Sequence, residues 1–135
     1  MWRLIKPLVK MGLLVQTAMI IDDDVDLGLL LSSTLENRKI HALAVNSLPE
    51  AEEYLTYLKP TVIFLDNSFP DGLGVNFIRN IKSADSEIKI IMMTGDAGEW
   101  IEAKALEEGA NYFLRKPFTN EILNHVLDQM NFRKA

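Results

Sequence analysis

Apolar residues in this chain come in two rhythms. Short continuous runs bounded by turn residues predict buried strands, and repeats at three and four positions predict one-sided helices. The runs fall at residues 17–21, closed by Ala18-Met19-Ile20-Ile21, at Ile40 to Val45, at 61–65 with Val62-Ile63-Phe64-Leu65, at Ile88 to Met93 and at Asn111 to Leu114. Between them, a helix from Val25 to Arg38 carries Leu27, Leu31 and Leu35, and a second repeats Leu48, Ala51, Leu55 and Leu58 before Pro60 stops it. Gly72 and Gly74 open a loop, after which Val75, Ile78 and Ile81 share one side of a third helix. A fourth helix over 98–108 ends at Gly109, and a fifth, capped by Thr119, is striped by Ile122, Val126, Leu127 and Met130.

Strands alternating with helices pair in parallel through right-handed crossovers, with helices on both faces. The predicted class is therefore α/β, a doubly wound five-stranded parallel sheet. Functional loops of such sheets gather at the carboxyl ends of the strands. Strand one ends in Asp22-Asp23-Asp24, strand three in Asp66, strand four in Thr94 and strand five in Lys116. If strands one and three are neighbours, three or more carboxylates share one small volume, and they repel unless a cation joins them. That is the outline of a divalent-metal site with an aspartate placed as nucleophile. Each residue also has a plain structural reading: helix caps for the triplet, turn residues for Asp66 and Thr94, a solvated lysine for Lys116. One cap explains one aspartate, or two with the helix dipole, and the joint placement of all these groups at one edge favours chemistry.

Composition narrows the field. The chain has 135 residues, 48% hydrophobic and 24% charged, which suits one globular domain. Its formal net charge of −5 argues against direct nucleic-acid binding by this chain, which needs a basic footprint. There is no cysteine, hence no disulfide framework or thiolate chemistry, which is compatible with a reducing compartment. Residues 1–16 read as an N-terminal extension. Met11-Gly12-Leu13-Leu14-Val15 follows Arg3, Lys6 and Lys10 but is too short to span a membrane and precedes no small-residue cleavage site. Residues 17–131 form the expected domain and 132–135 a tail, with no DNA-reading segment after it.

The islands Ile20-Ile21-Asp22-Asp23-Asp24, Phe64-Leu65-Asp66 with Pro70 beyond it, Met93-Thr94-Gly95 and Lys116-Pro117-Phe118 resemble the receiver domain of bacterial two-component response regulators. The resemblance spans roughly residues 17–131 in order, spacing and strand-end placement. It implies the flavodoxin-like (βα)5 receiver fold. It also implies a cytoplasmic signalling phosphoacceptor, not a turnover enzyme, which takes a phosphoryl group on Asp66 from a sensor histidine kinase or a histidine phosphotransfer protein. By the same resemblance Asp22 and Asp23 hold Mg²⁺ together with Asp66 and the backbone carbonyl of Ser68, while Asp24 caps the helix. Thr94 is implied as the switch hydroxyl, Lys116 as the phosphoryl-pairing lysine and Phe113 as the rotating aromatic. The implied output is a target protein bound through helix four, strand five and helix five. Trp100 starts helix four on that face and is expected to be a partly buried packing residue; an exposed Trp there would be an interface anchor. Asn67 departs from the family, being polar where an apolar residue is frequent, and Phe113 stands where Tyr is common.

Two other classes fit less well. A haloacid-dehalogenase-like phosphatase needs a second acid two residues past its nucleophile for turnover, and Ser68 stands there. An FMN carrier must cradle a phosphate in its first loop, which Asp22-Asp23-Asp24 would repel.

Overall fold

Alternation along each strand decides which side of the sheet a residue serves. The computed structural model describes Arg3, Leu4, Pro7, residues 16–95 and residues 99–132. The readings made for the remainder of the N-terminal extension, for position 98 and for tail residues 133–135 lie outside the described residues. Five strands, β1 (Gln16–Ile21), β2 (Ile40–Val45), β3 (Val62–Asp66), β4 (Lys89–Thr94) and β5 (Tyr112–Arg115), pair in parallel in the order β2-β1-β3-β4-β5. Five helices accompany them: α1 (Val25–Asn37), α2 (Leu48–Leu55), α3 (Ile78–Ala84), α4 (Glu99–Glu108) and α5 (Asn120–Gln129). This is the doubly wound architecture expected from the sequence.

Met19, Ile21, Ile63, Leu65, Ile90 and Met92 face one way and pack with Ala51 and Leu55 of α2, Ile78 and Ile81 of α3, and Ile101 and Ala105 of α4. The alternate residues Ala18, Ile20, Val62, Phe64, Ile91 and Met93 pack with Leu31 and Leu35 of α1 and Leu123, Val126 and Leu127 of α5. Both faces are covered, which is why the interiors of the central strands β1, β3 and β4 are almost continuously apolar. Each fully buried Leu, Ile or Phe side chain contributes about 1.5–3 kcal/mol. Among the described residues no helix is long and apolar enough to cross a membrane.

Several expectations shift. Helix α2 stops at Leu55, so Leu58 lies in the following turn, its N–H bonded to the Tyr54 carbonyl at 2.8 Å. In α5 the core position is Leu123, while Ile122 is 48% exposed. Adjacent apolar residues satisfy the same helical repeat with Val126, and only packing chooses between them. The loop opened by the glycines contains a small antiparallel pair, Ser68–Phe69 with Gly72–Leu73, and then a 3-10 turn, Gly74–Phe77. Phe132 is buried in the second cluster, so the core extends one residue past 131. Trp100 is 59% exposed, which corrects the reading of it as a partly buried packing residue. It occupies the second position of α4, while Ile101 and Ala105 turn into the core.

One polar seam crosses the second cluster. Arg38, only 3% exposed, donates from Nε to Asn124 Oδ1 at 2.8 Å and from Nη2 to the Asn124 carbonyl at 3.0 Å and Asp128 Oδ1 at 2.8 Å. One turn earlier, Thr34 Oγ1 lies 3.3 Å from Asn120 Oδ1. Thr34 on α1 and Arg38 at its C-cap thus meet Asn120 and Asn124, four apart on α5, which fixes how the two helices align.

Candidate functional site

Strands β1 and β3 are neighbours with Ile21 opposite Leu65, so the next residues, Asp22 and Asp66, emerge side by side at the carboxyl edge. The Asp22 N–H donates to the Val45 carbonyl at 3.1 Å, continuing the ladder one residue past the strand. The acidic triplet then divides its work. Buried Asp22 accepts the Asp24 N–H on Oδ1 at 2.9 Å, Asp23 is exposed, and Asp24 caps α1 by accepting the Leu27 N–H at 3.2 Å. Asp22, Asp23 and Asp66 each present a carboxylate oxygen, all within 4.8 Å of one another.

Lys116 arrives one residue past the end of β5. Its Nζ lies 2.7 Å from Asp22 Oδ2 and 3.2 Å from Asp66 Oδ1. Its backbone N–H donates to the Thr94 carbonyl at 2.9 Å, which places buried Thr94, the last residue of β4, beside it. Burial pushes the Asp66 carboxyl up, and the Asp22 charge pushes it further; Lys116 and the Asn67 N–H pull it down without overcoming them. Burial lowers Lys116, but its hydrogen bond to Asp22 and the charges of Asp66 and Asp22 outweigh that and raise it. Two unit charges about 4 Å apart interact by about 4 kcal/mol at an effective dielectric constant of about 20. Three carboxylates against one ammonium leave two negative charges, which a divalent cation matches. The donor set is all hard oxygen, the kind that Mg²⁺ prefers.

The other predicted residues are placed less tightly. Ser68 is exposed and pairs with Leu73 in the small hairpin. Phe113 is half-buried on β5 against the first core cluster, with the Arg115 Cζ 5.6 Å from its ring centroid.

Two residues that support Asp66 were missed in that role. An added Cβ on Gly74 would sit 1.9 Å from the Asp66 carbonyl oxygen. The glycine is required by close approach, with no left-handed φ to advertise it. Asn67 is 5% exposed, its carbonyl accepts the Gly74 N–H at 2.8 Å, and its Oδ1 accepts the Val75 N–H at 3.0 Å. Its polarity beside an apolar strand was the available signal.

A parallel sheet that delivers three carboxylates, a buried hydroxyl residue and an ammonium to one edge defines an α/β domain with an acidic strand-end pocket. The model of the response regulator receiver domain matches residues 18–128, and the chain belongs to that family. It is 32% identical over 119 residues to the swarming motility regulation protein RssB of Serratia marcescens, covering 87% of this chain and 53% of that one. It is 30% identical over 102 residues to the response regulator protein PilR of Pseudomonas aeruginosa, covering 76% of this chain and 23% of that one. The chain thus spans well under two-thirds of the length of these relatives. Among solved structures, the beryllofluoride-activated NtrC4 receiver domain dimer superposes with a TM-score of 0.79 at 34% identity, covering 86% of this chain and 95% of that one. A CheY-like receiver domain protein of Methanospirillum hungatei shares the fold, with a TM-score of 0.82 at 20% identity over 87% of this chain and 94% of that one. The chain is a receiver domain of the two-component type, and the pocket of Asp22, Asp23 and Asp66 fits the family's phosphoacceptor site.

Proposed function

We propose that Asp66 accepts a phosphoryl group from the phosphohistidine of a sensor kinase or histidine phosphotransfer protein, in a Mg²⁺-dependent step within the cytoplasm. An Asp66 oxygen forms the new P–O bond as the P–N bond to the donor imidazole breaks, and the departing nitrogen takes up a proton. The carrying observation is the convergence of Asp22 and Asp66 on one Lys116 ammonium, at 2.7 and 3.2 Å. Asp22, Asp23, Asp66 and the Ser68 carbonyl would hold Mg²⁺, which when bound offsets the charge of the transferring group. Lys116 pairs with a phosphoryl oxygen and Thr94 hydrogen-bonds another. Thr94's move toward the phosphoryl group lets Phe113 turn inward, which biases the surface of α4, β5 and α5 between two states.

The surfaces suit both partners. Val25 and Leu29 are exposed on the opening turns of α1, next to the acidic triplet, and Ile122 is exposed on the first turn of α5. They offer the donor protein an apolar landing beside the acceptor. Trp100, exposed on α4, is an anchor for the downstream target. The unit that does this is residues 17–131, acting as a signalling phosphoacceptor, with Ser68 where a turnover phosphatase would carry its acid.

Intact mass after incubation with acetyl phosphate tests the assignment. One phosphoryl adduct is expected with Mg²⁺, none without it, and none in Asp66→Asn. An adduct that survives this substitution refutes the acceptor. Asp23→Asn should weaken Mg²⁺ binding; unchanged affinity in a titration refutes its role as a ligand.

A further inference from the structure

We propose that Asn67 is a positioning residue for the acceptor, its buried side-chain amide setting the peptide that follows Asp66. This inference rests on the reading of Asp66 as the phosphoacceptor and goes beyond it.

The argument begins with an unmet need. The 3-10 turn Gly74–Phe77, which runs straight into α3, starts after Leu73, and Leu73 makes no side-chain cap. Its first N–H groups point back toward the end of β3 and both find Asn67. The Gly74 N–H takes the Asn67 carbonyl at 2.8 Å, and the Val75 N–H takes Asn67 Oδ1 at 3.0 Å. Asn67 therefore supplies from a distance the cap that the local sequence lacks. Its carbonyl and its side-chain oxygen are held by consecutive amides of one turn, so the residue that follows Asp66 is fixed at two points and has little freedom to rotate. The same residue adjoins the chemistry directly: it follows Asp66 in the chain, and its backbone N–H lowers the Asp66 carboxyl. Gly74 makes the arrangement possible, because the turn backbone lies where any Cβ would strike the Asp66 carbonyl.

An apolar residue at 67 would fill the same space but leave the Val75 N–H buried without its acceptor, since Val75 is 1% exposed. The turn would then draw away or the residue would rotate, and Asp66, its neighbour in the chain, would shift with it. A displacement near 1 Å at a reacting group lowers rates by up to about a hundredfold.

The test compares Asn67→Leu, which keeps the branched heavy-atom shape and removes the acceptor, with Asn67→Asp, which keeps an acceptor for Val75. The readouts are the rate of Mg²⁺-dependent adduct formation from acetyl phosphate per folded molecule, and the affinity for beryllofluoride. N67L is expected to slow adduct formation by about tenfold or more and to weaken beryllofluoride binding, with N67D closer to wild type in both. If N67L does not fold, Asn67→Ala takes its place in the comparison. A residue with only a structural role would lower the melting temperature and leave both readouts at wild-type values, and that result overturns the proposal. An adduct that persists in Asp66→Asn overturns the underlying acceptor assignment, a separate result that N67L does not produce.

Discussion

Replacing Gly74 with alanine places one methyl group against backbone, where no side chain can swing aside. The new Cβ would lie 1.9 Å from the Asp66 carbonyl oxygen, 2.9 Å from its carbonyl carbon and 3.1 Å from Asn67 Cα. Ordinary carbon–oxygen contact is near 3.4 Å, so turn and strand end must separate by more than ~1 Å, judged against dispersion distances. Overpacking of this kind costs about 1–3 kcal/mol, and backbone on both sides puts it at the upper end. At about 3–4 °C per kcal/mol for this size, a fall in melting temperature of about 10 °C is expected. The displacement reaches Asp66 itself, so the rate of phosphorylation by acetyl phosphate should drop by up to about a hundredfold in the folded fraction. Gly28 in α1 supplies the control. A Cβ there would meet only the Ala44 Cβ at 3.8 Å, an ordinary contact, and alanine favours helix by about 1 kcal/mol, so Gly28→Ala should stabilise. Urea melts and intact-mass kinetics of both variants decide the matter. A Gly74→Ala protein as stable and as reactive as wild type would refute the close-approach argument.

Three further outcomes follow from other parts of the molecule. Arg38→Ala removes the three hydrogen bonds that a buried guanidinium makes to α5, but its partner Asp128 has 40% of its side chain exposed and can rehydrate. A loss of about 2–3 kcal/mol in urea unfolding is expected, partly recovered by Arg38→Met, and a loss under about 0.5 kcal/mol would contradict the seam. Asp66's folded carboxyl lies above its ordinary value of 3.8, so its contribution to stability is full below that value and is lost as pH rises through the folded one. Without Mg²⁺, Asp66→Asn should therefore be more stable than wild type at pH 7, and the gain should fade as pH falls toward 3.8; a pH-independent difference would contradict the electrostatic account. Trp100→Ala should change stability by less than about 0.5 kcal/mol while weakening target binding, and a large destabilisation in the melt would show that the indole packs after all.

The fold was legible because its central strands are almost wholly apolar. Val62-Ile63-Phe64-Leu65 is short, half β-branched and bounded by turn residues, which reads as a buried strand between helical layers, and the polar residues that end such runs mark the carboxyl edge. Asp22, Asp66, Thr94 and Lys116 could be placed at one rim from topology alone, since register in a parallel sheet brings the ends of adjacent strands level. What pattern could not supply was anything decided by contact. Ile122 and Leu123 satisfy the same repeat, and only the neighbouring helix selects Leu123. Trp100 is large and apolar, yet Ile101 and Ala105 claim the inward face of α4. Gly74 looks like any loop glycine, because the oxygen it must avoid lies eight residues away in sequence. Asn67 stood out as an anomaly, but its partner amide at Val75 became visible only once the intervening hairpin was folded.

The alignment of α1 with α5 has a bearing on exchange between relatives. A fifth helix transplanted from another regulator would bring its own residues opposite Arg38, and unless these matched Asn124 and Asp128 the buried guanidinium would lose the hydrogen bonds it makes to α5. The two helices therefore travel as a matched set, and a chimera that respects the strand boundaries while splitting this couple should fold poorly even with every side chain of the acidic pocket retained.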